Sequence, residues 1–294
     1  MKILKPVFLF LLLVSSFSLF AQQGKVLEEQ NLKSKILKRN VSYAVYLPPD
    51  YETANRTYPV VYLLHGYTDD HTGWLQFGEV NRYADKAISD GTIPPMIIVM
   101  PNADSSWYIN SYDGKEKYED FFIKEFMPHI EKVLRIKAEK KYRGIAGLSM
   151  GGYGTLIYTL KHPDLFAAGA ALSAAVFPDE QLVSTPDDTY EKIFAQLYGR
   201  GLKGKDRVNN AWQSNSVLNL VQIKTTDELK SVRYWIDCGD DDFLSKGNCL
   251  LHIALTEKNV PHEFRMRDGA HTWTYWRTGI TNALQFIGDS FRQK

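Results

Sequence analysis

The chain has 294 residues, of which 44% are hydrophobic and 13% aromatic, which is enough to bury one large core. Its 35 basic and 34 acidic residues give a formal net charge of +1. No basic stripe runs along the sequence, so the composition argues against nucleic acid as a partner, and the length does not require a second domain.

The N-terminus has the pattern of a secretory signal peptide. Lys2 and Lys5 precede an apolar run from Val7 to Val14, and small and polar residues then lead to Ala21. We expect cleavage after Ala21, which gives a signal peptide over 1–21, a single mature domain over 22–294 and a secreted or periplasmic protein. An uncleaved membrane anchor is the alternative, although the apolar run is short for a span. No cysteine follows the run, which argues against a lipoprotein anchor.

Apolar runs of strand length alternate with helical patterns along the mature chain. Continuous Val- and Ile-rich runs are typical of strands that are buried on both faces of a parallel sheet. The predicted strands are Val41–Leu47, Pro59–Leu64, Met96–Met100, Tyr142–Ala146, Ala167–Leu172, Val232–Cys238 and His262–Met266. The predicted helices are Lys117–Leu134, Gly151–Lys161, Cys249–Lys258 and Thr278–Arg292. This alternation predicts an α/β fold, with a mostly parallel central sheet and helices on both faces.

The segment Val176–Lys230 interrupts this alternation. It contains several prolines and glycines, with a predicted helix near Tyr190–Tyr198, and is longer than an ordinary crossover between two strands. Long insertions in compact domains often form part of a functional site. We therefore consider two interpretations, a cap over the site and a decorated crossover that only packs.

A glycine-rich turn places one serine between a predicted strand and a predicted helix. The sequence Gly147-Leu148-Ser149-Met150-Gly151 has the form G-x-S-x-G in the strand–turn–helix context of a nucleophile elbow. Small flanking residues allow a sharp turn, and the helix N-terminus favours developing negative charge. We predict that Ser149 is a catalytic nucleophile; the alternative is a turn that serves only close packing.

A serine nucleophile needs a base and an acid that orients the base, and in this context they follow the serine as acid and then histidine. His271 comes after the last predicted strand, at the end of a sheet where sites form. His252 lies in an apolar helical run and His262 at the opposite end of the strand, so both are expected to be structural. We therefore predict that His271 is the base.

The acid is expected in the loop after Val232–Cys238, which reads CGDDDFL. Asp240, Asp241 and Asp242 are all candidates, and the spacing does not select among them. Burying all three carboxylates would be costly, so one is expected to point inward and the others to face water. A calcium-binding loop is a competing interpretation of the acidic run.

Two backbone N–H groups are needed to hold an oxyanion. Met150 directly follows the serine and offers one N–H group. The second is expected from Tyr67, because Gly66 in the loop after Pro59–Leu64 allows close approach. His65 in the same loop is expected to be structural.

The two cysteines, Cys238 and Cys249, could form a disulfide in an exported protein. The other interpretation is a buried Cys238 at a strand end and an unrelated Cys249.

Together these segments resemble the esterase D-like branch of the α/β-hydrolases. This branch includes feruloyl and acetyl-xylan esterases of carbohydrate esterase family 1, S-formylglutathione hydrolases and mycolyltransferases. The resemblance covers roughly residues 35–291, and its segments are YLPPDY, VVYLLHGY, PNADSSWYINS, GIAGLSMGGYG, CGDDDFL and GAHTWTYWR. It implies an α/β-hydrolase fold and a Ser-His-Asp triad without a metal or organic cofactor. The family pattern around the acid selects Asp242, with Asp241 as the second choice.

The resemblance implies hydrolysis of carboxylic esters on small molecules or oligosaccharides. The predicted export favours feruloyl or acetyl-xylan esterases over the S-formylglutathione hydrolases, which are usually cytosolic. Trp107 and Tyr108 follow a strand end and are expected to form an aromatic wall for the substrate, with ordinary packing as the alternative. Trp273 and Trp276 are expected to brace the His271 loop. An acyltransferase and a non-catalytic binding protein of the same fold are the other functional hypotheses.

Overall fold

The computed structural model describes residues 23–292, so the predicted signal peptide 1–21 and its cleavage site lie outside the described residues. Eight strands of the described chain form a sheet. They are β1 (Lys25–Lys33), β2 (Asn40–Leu47), β3 (Val60–Leu64), β4 (Ile97–Pro101), β5 (Arg143–Leu148), β6 (Ala168–Leu172), β7 (Arg233–Gly239) and β8 (His262–Arg267). All seven predicted strands are present within two residues of their predicted bounds.

The strand order is β1-β2-β4-β3-β5-β6-β7-β8. The pairs β1–β2 and β2–β4 are antiparallel, whereas every pair from β4 to β8 is parallel. Because parallel neighbours end at the same edge, the loops after β3, β5, β7 and β8 meet on one side of the sheet. The predicted α/β-hydrolase fold is confirmed.

Thirteen α-helices of the described chain surround the sheet. They are α1 (Gly73–Gln76), α2 (Val80–Ser89), α3 (Tyr118–Phe121), α4 (Met127–Val133), α5 (Met150–Lys161), α6 (Asp179–Ser184), α7 (Asp187–Ile193), α8 (Ala195–Tyr198), α9 (Asn210–Gln213), α10 (Val217–Ile223), α11 (Thr226–Lys230), α12 (Ser245–Glu257) and α13 (Trp273–Arg292). No helix in residues 23–292 combines the length and apolar character needed to cross a bilayer.

Apolar side chains cover both faces of the sheet. On β3, Val60, Tyr62 and Leu64 belong to the cluster beneath α3, α4 and α5, whereas Val61 and Leu63 belong to the cluster beneath α2 and α13. All five are fully buried. This explains the continuous apolar run in the sequence, because alternate residues of a strand point to opposite faces.

The predicted helix Lys117–Leu134 is present but irregular. A π-helical turn over Phe122–Phe126 joins α3 to α4, and Pro128 stands near the start of α4. Proline has no backbone N–H, so it cannot continue the regular hydrogen bonding of one long α-helix. The predicted helix is therefore confirmed over residues 118–133, with a π-helical turn just before the proline.

The segment Val176–Lys230 folds into the short helices α6 to α11 and a 3₁₀ turn at Gly204–Arg207. Arg207 is nearly fully buried and its guanidinium donates to the Leu202 carbonyl and to the Asp187 carboxylate. These hydrogen bonds connect α7 to the 3₁₀ turn at Gly204–Arg207. The segment is thus a packed helical layer of the described structure.

Both cysteines are free thiols. Cys238 is buried at the end of β7, and burial raises the pKa of its thiol to about 12. Cys249 is half-buried in α12. The structure therefore agrees with the interpretation that did not pair them.

The contact between β5 and α13 generates a prediction. A Cβ added at Gly144 would lie 2.2 Å from Ile287 Cγ2, so Gly144→Ala should destabilise the protein by about 1 to 3 kcal/mol. Ile287→Ala should cost about 2 to 5 kcal/mol. In the Gly144→Ala/Ile287→Ala double variant the new methyl group occupies the space that the Ile287 side chain leaves. The loss in free energy of unfolding should therefore be smaller than the sum of the two single losses by about 1 kcal/mol or more. Urea denaturation of the four proteins measures this, and strict additivity would contradict it.

Candidate functional site

Ser149 occupies a strained turn between β5 and α5. Its φ of 53° and ψ of −114° lie where side chains are rarely found. A Cβ at Gly147 would lie 2.4 Å from the Gly151 carbonyl oxygen, and one at Gly151 would lie 2.4 Å from the Leu64 carbonyl oxygen. The Ser149 N–H donates to the Leu172 carbonyl at 2.9 Å. The close packing of the turn therefore holds a half-buried serine side chain at the carboxyl ends of the strands.

His271 lies between Ser149 and Asp242. The distance from His271 Nε2 to Ser149 Oγ is 3.0 Å, and from His271 Nδ1 to Asp242 Oδ2 it is 2.8 Å. With the proton on Nδ1, the ring donates to the carboxylate and its Nε2 accepts from the serine hydroxyl. The structure thus brings three predicted residues together in the order that proton transfer from the serine requires.

Asp242 is buried, with 2% of its surface exposed, whereas Asp240 and Asp241 are exposed. Its Oδ1 accepts the N–H of Leu244 at 2.8 Å. Burial by itself raises the pKa of Asp242, but the hydrogen bonds from His271, Leu244 and Ser173 outweigh it and hold the pKa below its usual value. Asp242 is therefore ionised at neutral pH and is placed to orient His271.

The other two carboxylates of the acidic run face solvent. Asp240 Oδ1 accepts the N–H of Gly269 at 3.0 Å and so ties the acidic loop to the loop that carries His271. Carboxylate oxygens of Asp240, Asp241 and Asp268 lie within 4.8 Å of one another. This cluster is the only support for a calcium-binding loop in the described residues, and all three of its carboxylates are exposed.

The two predicted oxyanion donors flank the serine. Met150 is the first residue of α5, and Tyr67 follows Gly66 after β3. Within residues 23–292, neither the Tyr67 N–H nor the Met150 N–H is used in a backbone hydrogen bond. A Cβ at Gly66 would lie 2.8 Å from Leu148 Cδ1 and 3.9 Å from Ser149 Cβ, so this loop lies close to the serine, and a larger residue would require the Leu148 side chain to move.

His65 holds that loop from below. The 2.7 Å distance from His65 Nδ1 to the Gly66 carbonyl and the 2.8 Å bond from the Ala103 N–H to His65 Nε2 require a neutral ring with its proton on Nδ1. Burial lowers the pKa of His65 to about 4. The imidazole is thus committed to the loop and is not a second base, as the sequence predicted.

The structure corrects the prediction that Tyr108 forms part of a substrate wall. Its side chain is fully buried, and its hydroxyl donates to the His65 carbonyl at 3.0 Å. Both Trp107 and Tyr108 have positive φ values, 57° and 61°. This turns the segment back into the molecule, where Tyr108 packs against Gly154 of α5.

Trp107 is also displaced from the predicted wall. Only 5% of its surface is exposed. Its ring lies 5.8 Å from Tyr67 and packs against three further aromatic rings, those of Tyr153, Phe177 and Phe194. Trp107 therefore supports Tyr67 from behind and joins the β3 loop to the helical layer, which is the packing alternative.

A buried ionic network supports the His271 loop and was missed in the sequence. Asp237 on β7 is fully buried, and both of its oxygens accept from Arg267 at 3.0 Å. The Tyr275 hydroxyl donates to the same carboxylate. A buried charge must be paired, so one aspartate inside the apolar strand RYWIDCG was the available signal.

Two tryptophans of α13 lie beside His271, as expected for a brace. The Trp276 ring meets the His271 ring edge to face at 4.8 Å, and its Nε1 donates to Ser173 Oγ at 3.0 Å. Trp273 packs edge to face against Trp276 and Trp74. They form part of the helix and precede its predicted start at Thr278.

The remaining two predicted structural histidines lie together elsewhere. The distance from His252 Nδ1 to His262 Nε2 is 2.7 Å, and His262 begins β8 at the end opposite to His271. Both are thus excluded from the site, as the sequence predicted.

An open cleft of about 380 Å³ exposes the serine. Its lining residues are Gly66, Tyr67, Thr68, Asp69, Leu148, Ser149, Phe243, His271, Thr272, Trp273 and Trp276. Burial raises the pKa of Asp69. Phe243 is 70% exposed and its ring lies 4.6 Å from that of His271. Asp69 and Phe243 were not predicted as site residues.

The neutral state of His65 predicts how stability depends on pH. In the unfolded chain the His65 imidazole binds a proton near pH 6.5, whereas in the folded chain it does so only near pH 4. The contribution of neutral His65 to the free energy of unfolding is therefore complete above pH 6.5 and is lost as the pH falls towards 4. Between pH 7 and pH 4, wild type should lose up to about 3 kcal/mol more than His65→Gln. Urea denaturation at several pH values measures the difference. Parallel curves for the two proteins would contradict it.

Comparison with known proteins places the chain in a family. The family model "Putative esterase" matches residues 34–287. A solved ferulic acid esterase structure is 35% identical, with a TM-score of 0.80, and the match covers 92% of this chain and 99% of that one. An acetyl esterase of Caldicellulosiruptor saccharolyticus is 26% identical over 87% of this chain and 96% of its own length.

A third relative is a serine hydrolase of known structure. The substrate-bound structure of FphF, a fluorophosphonate-binding serine hydrolase of Staphylococcus aureus, is 26% identical with a TM-score of 0.73. The match covers 90% of this chain and 98% of that one. The chain therefore belongs to the esterase family of α/β-hydrolases and is a serine esterase.

Proposed function

We propose that the chain is a secreted carboxylic ester hydrolase that removes feruloyl or acetyl groups from plant oligosaccharides, with Ser149, His271 and Asp242 as its catalytic triad. The observation that carries the triad is the pair of hydrogen-bond distances made by the His271 ring, 3.0 Å to Ser149 and 2.8 Å to Asp242. The N–H groups of Tyr67 and Met150, which donate no backbone hydrogen bond within residues 23–292, support the same proposal.

In the first half of the reaction, Ser149 Oγ attacks the ester carbonyl carbon while its proton passes to His271 Nε2. Asp242 stays ionised and stabilises the imidazolium. The N–H groups of Tyr67 and Met150 hold the oxyanion of the tetrahedral intermediate. The carbon–oxygen bond to the alcohol then breaks, and His271 Nε2 returns the proton to the departing oxygen.

In the second half, water takes the place of the alcohol. His271 removes a proton from the water, whose oxygen attacks the acyl carbon on Ser149. Collapse of the second intermediate breaks the bond to Ser149 Oγ, which regains its proton from His271. The products are the free carboxylic acid and the unmodified serine.

Three arguments support polysaccharide-derived esters as substrates. The relatives include a ferulic acid esterase and an acetyl esterase, both matched over most of their length. Export, which the N-terminal sequence predicts, would bring the chain to such esters. The open cleft beside Ser149 is wide enough for a carbohydrate alcohol.

We predict that the mature chain hydrolyses methyl ferulate or acetylated xylo-oligosaccharides, and that Ser149→Ala lowers kcat by at least about 1,000-fold while the protein stays folded. Product release by chromatography and the circular dichroism of the variant measure these effects. Cleavage of nitrophenyl esters alone would retain the triad and remove the plant substrate. If the folded Ser149→Ala variant hydrolysed these esters at the wild-type rate, the proposed triad would be wrong.

The choice of acid has its own matched pair of variants. Asp242→Asn should lower kcat about 1,000- to 10,000-fold, because an amide neither favours the required His271 tautomer nor stabilises the imidazolium. Asp241→Asn changes the adjacent exposed carboxylate and should leave kcat within about twofold. The reverse pattern in steady-state kinetics would assign the acid to Asp241.

Acyl transfer to another alcohol is the competing outcome, since the acyl group on Ser149 can in principle be taken by a sugar hydroxyl. Adding xylo-oligosaccharide acceptors to the methyl ferulate reaction separates the two. Feruloylated acceptor in excess of free ferulate would favour the acyltransferase.

A further inference from the structure

The sheet ends at β8, whose outer edge has no neighbouring strand in residues 23–292. Every residue of β8 pairs with β7 without a shift in register, so the strand is regular along its whole length. A regular unpaired edge presents backbone N–H and C=O groups that can bind another strand. The opposite edge, β1, differs, because its register against β2 shifts between Leu27 and Gln30. A shift of this kind interrupts an edge and hinders its pairing with another chain.

Alternate residues of β8 direct their backbone groups to opposite sides. The Arg267 carbonyl accepts the Asp240 N–H at 3.1 Å and therefore faces the β7 side. The N–H and C=O groups of one strand residue point the same way, and the direction reverses at the next residue. The backbone groups of Arg265 therefore also face β7, whereas those of Phe264 and Met266 face outward.

The two faces of β8 differ in chemistry. Phe264 lies on the α12 face, where its ring stacks on His252 at 4.5 Å, and Met266 shares that face and is 42% exposed. Glu263 and Arg265 lie on the α13 face and form an ion pair with each other, with about half of each side chain exposed. One face of the edge is thus mainly apolar, and the other carries one exposed charge of each sign.

We propose that β8 is the interface of a homodimer, in which the β8 strands of two copies of this chain pair antiparallel about a two-fold axis at Phe264. The eight strands of each copy then belong to one continuous sheet. Two-fold symmetry requires a self-complementary patch, because both copies use the same surface. The inference concerns assembly and does not depend on the ester chemistry proposed above.

Symmetry and charge together select this register. A two-fold axis perpendicular to the sheet places one residue opposite its own copy. An axis at Glu263 would oppose two carboxylates and one at Arg265 two guanidinium groups, and like charges directly opposite are unfavourable. An axis at His262 or Met266 would pair less of the strand. An axis at Phe264 instead places Glu263 of each copy opposite the partner's Arg265.

The same register satisfies the backbone of the edge. Phe264 and its copy would exchange two N–H···O bonds across the axis, because the backbone groups of Phe264 face outward. Glu263 and the partner's Arg265 then form a non-hydrogen-bonded pair, in which side chains lie closest. An open hollow of about 400 Å³ between β8 and α13 leaves space for them. In the single chain the Arg265 guanidinium donates to its own Glu263 and to the Phe264 carbonyl, so dimerisation replaces these contacts with equivalent ones in the partner.

Charge reversal tests this contact, because the two-fold axis repeats each ion pair and every substitution acts twice. Arg265→Glu places a carboxylate opposite the partner's Glu263, and Glu263→Arg places two guanidinium groups opposite each other. Each should raise the dissociation constant of the dimer at least about tenfold. Glu263→Arg/Arg265→Glu restores opposite charges and should return the constant to within about threefold of wild type. Sedimentation equilibrium over a range of protein concentrations measures all four proteins.

Lys86→Glu is the matched control, because it reverses one exposed charge of a surface ion pair, that with Asp90 at the end of α2. It should leave the dissociation constant within about twofold. Circular dichroism checks that each variant is folded. The proposal is wrong if wild type stays monomeric at its highest soluble concentration, if folded single variants dimerise as tightly as wild type, or if the double variant is no tighter than the single ones.

Cysteine crosslinking tests the register. Residues of a non-hydrogen-bonded pair have Cα atoms about 4.5 Å apart, which is within reach of a disulfide. On oxidation of a mixture with copper phenanthroline, Glu263→Cys chains should crosslink to Arg265→Cys chains, and the second Glu263–Arg265 pair of that dimer stays intact. Either variant alone should crosslink at least about tenfold more slowly, because its cysteines are then diagonal to each other. Mass spectrometry of the linked peptides measures this, with wild type as the background from Cys249. Equally fast crosslinking in either variant alone would place the axis elsewhere and contradict the proposed register.

Discussion

The whole site depends on a turn at Ser149 that only small neighbours permit. The positive φ of this residue costs about 1 to 3 kcal/mol, and the structure opposes that cost with backbone hydrogen bonds on both sides of the serine. The Ser149 N–H donates to Leu172, and its carbonyl accepts from Tyr153 and Ala175. These bonds join the turn to β6, to α5 and to the chain after β6. The serine therefore cannot relax without disturbing three elements.

The histidine side of the site is held by close approach and by charge. A Cβ at Gly239 would lie 2.1 Å from the Gly269 carbonyl oxygen, so the His271 loop rests directly on the end of β7. Below this contact, Asp237 and Arg267 link β7 to β8, and Tyr275 of α13 joins the same carboxylate. Removing one partner of such a buried pair is costly, because it leaves a charge without compensation. The position of His271 is thus set by the sheet beneath it and not by the loop alone.

The sequence predicted the parts of this arrangement that depend on local signals. The buried parallel strands follow from continuous apolar runs, and Ser149 and His271 follow from a turn motif and chain order. Asp242 required the family pattern, because burial of one carboxylate among three adjacent ones is decided by tertiary packing. The polar strand β1 was missed because an antiparallel edge strand with one solvated face has no continuous apolar run.

Tyr108 shows most clearly why a strand-end position does not by itself predict a substrate contact. Its place after β4 is the right edge of the sheet, but the positive φ values at Trp107 and Tyr108 reverse the chain, and such values are not encoded by any glycine there. The same loop that was expected to meet substrate instead supports the backbone that presents Tyr67. The sequence position of Tyr108 correctly indicated that it lies near the site, but its backbone conformation decides that it packs inside the protein.

The residues around the serine differ sharply in how far they are constrained. Asp242, His65 and Asp237 are buried and each is fixed by hydrogen bonds to other elements, so the proton-transfer chemistry is tied to the stability of the sheet. Phe243 and Thr189 are exposed, and their replacement would leave those contacts in place. Solvent-facing residues of the acidic loop and the short helices can therefore vary while Ser149, His271 and Asp242 keep their contacts.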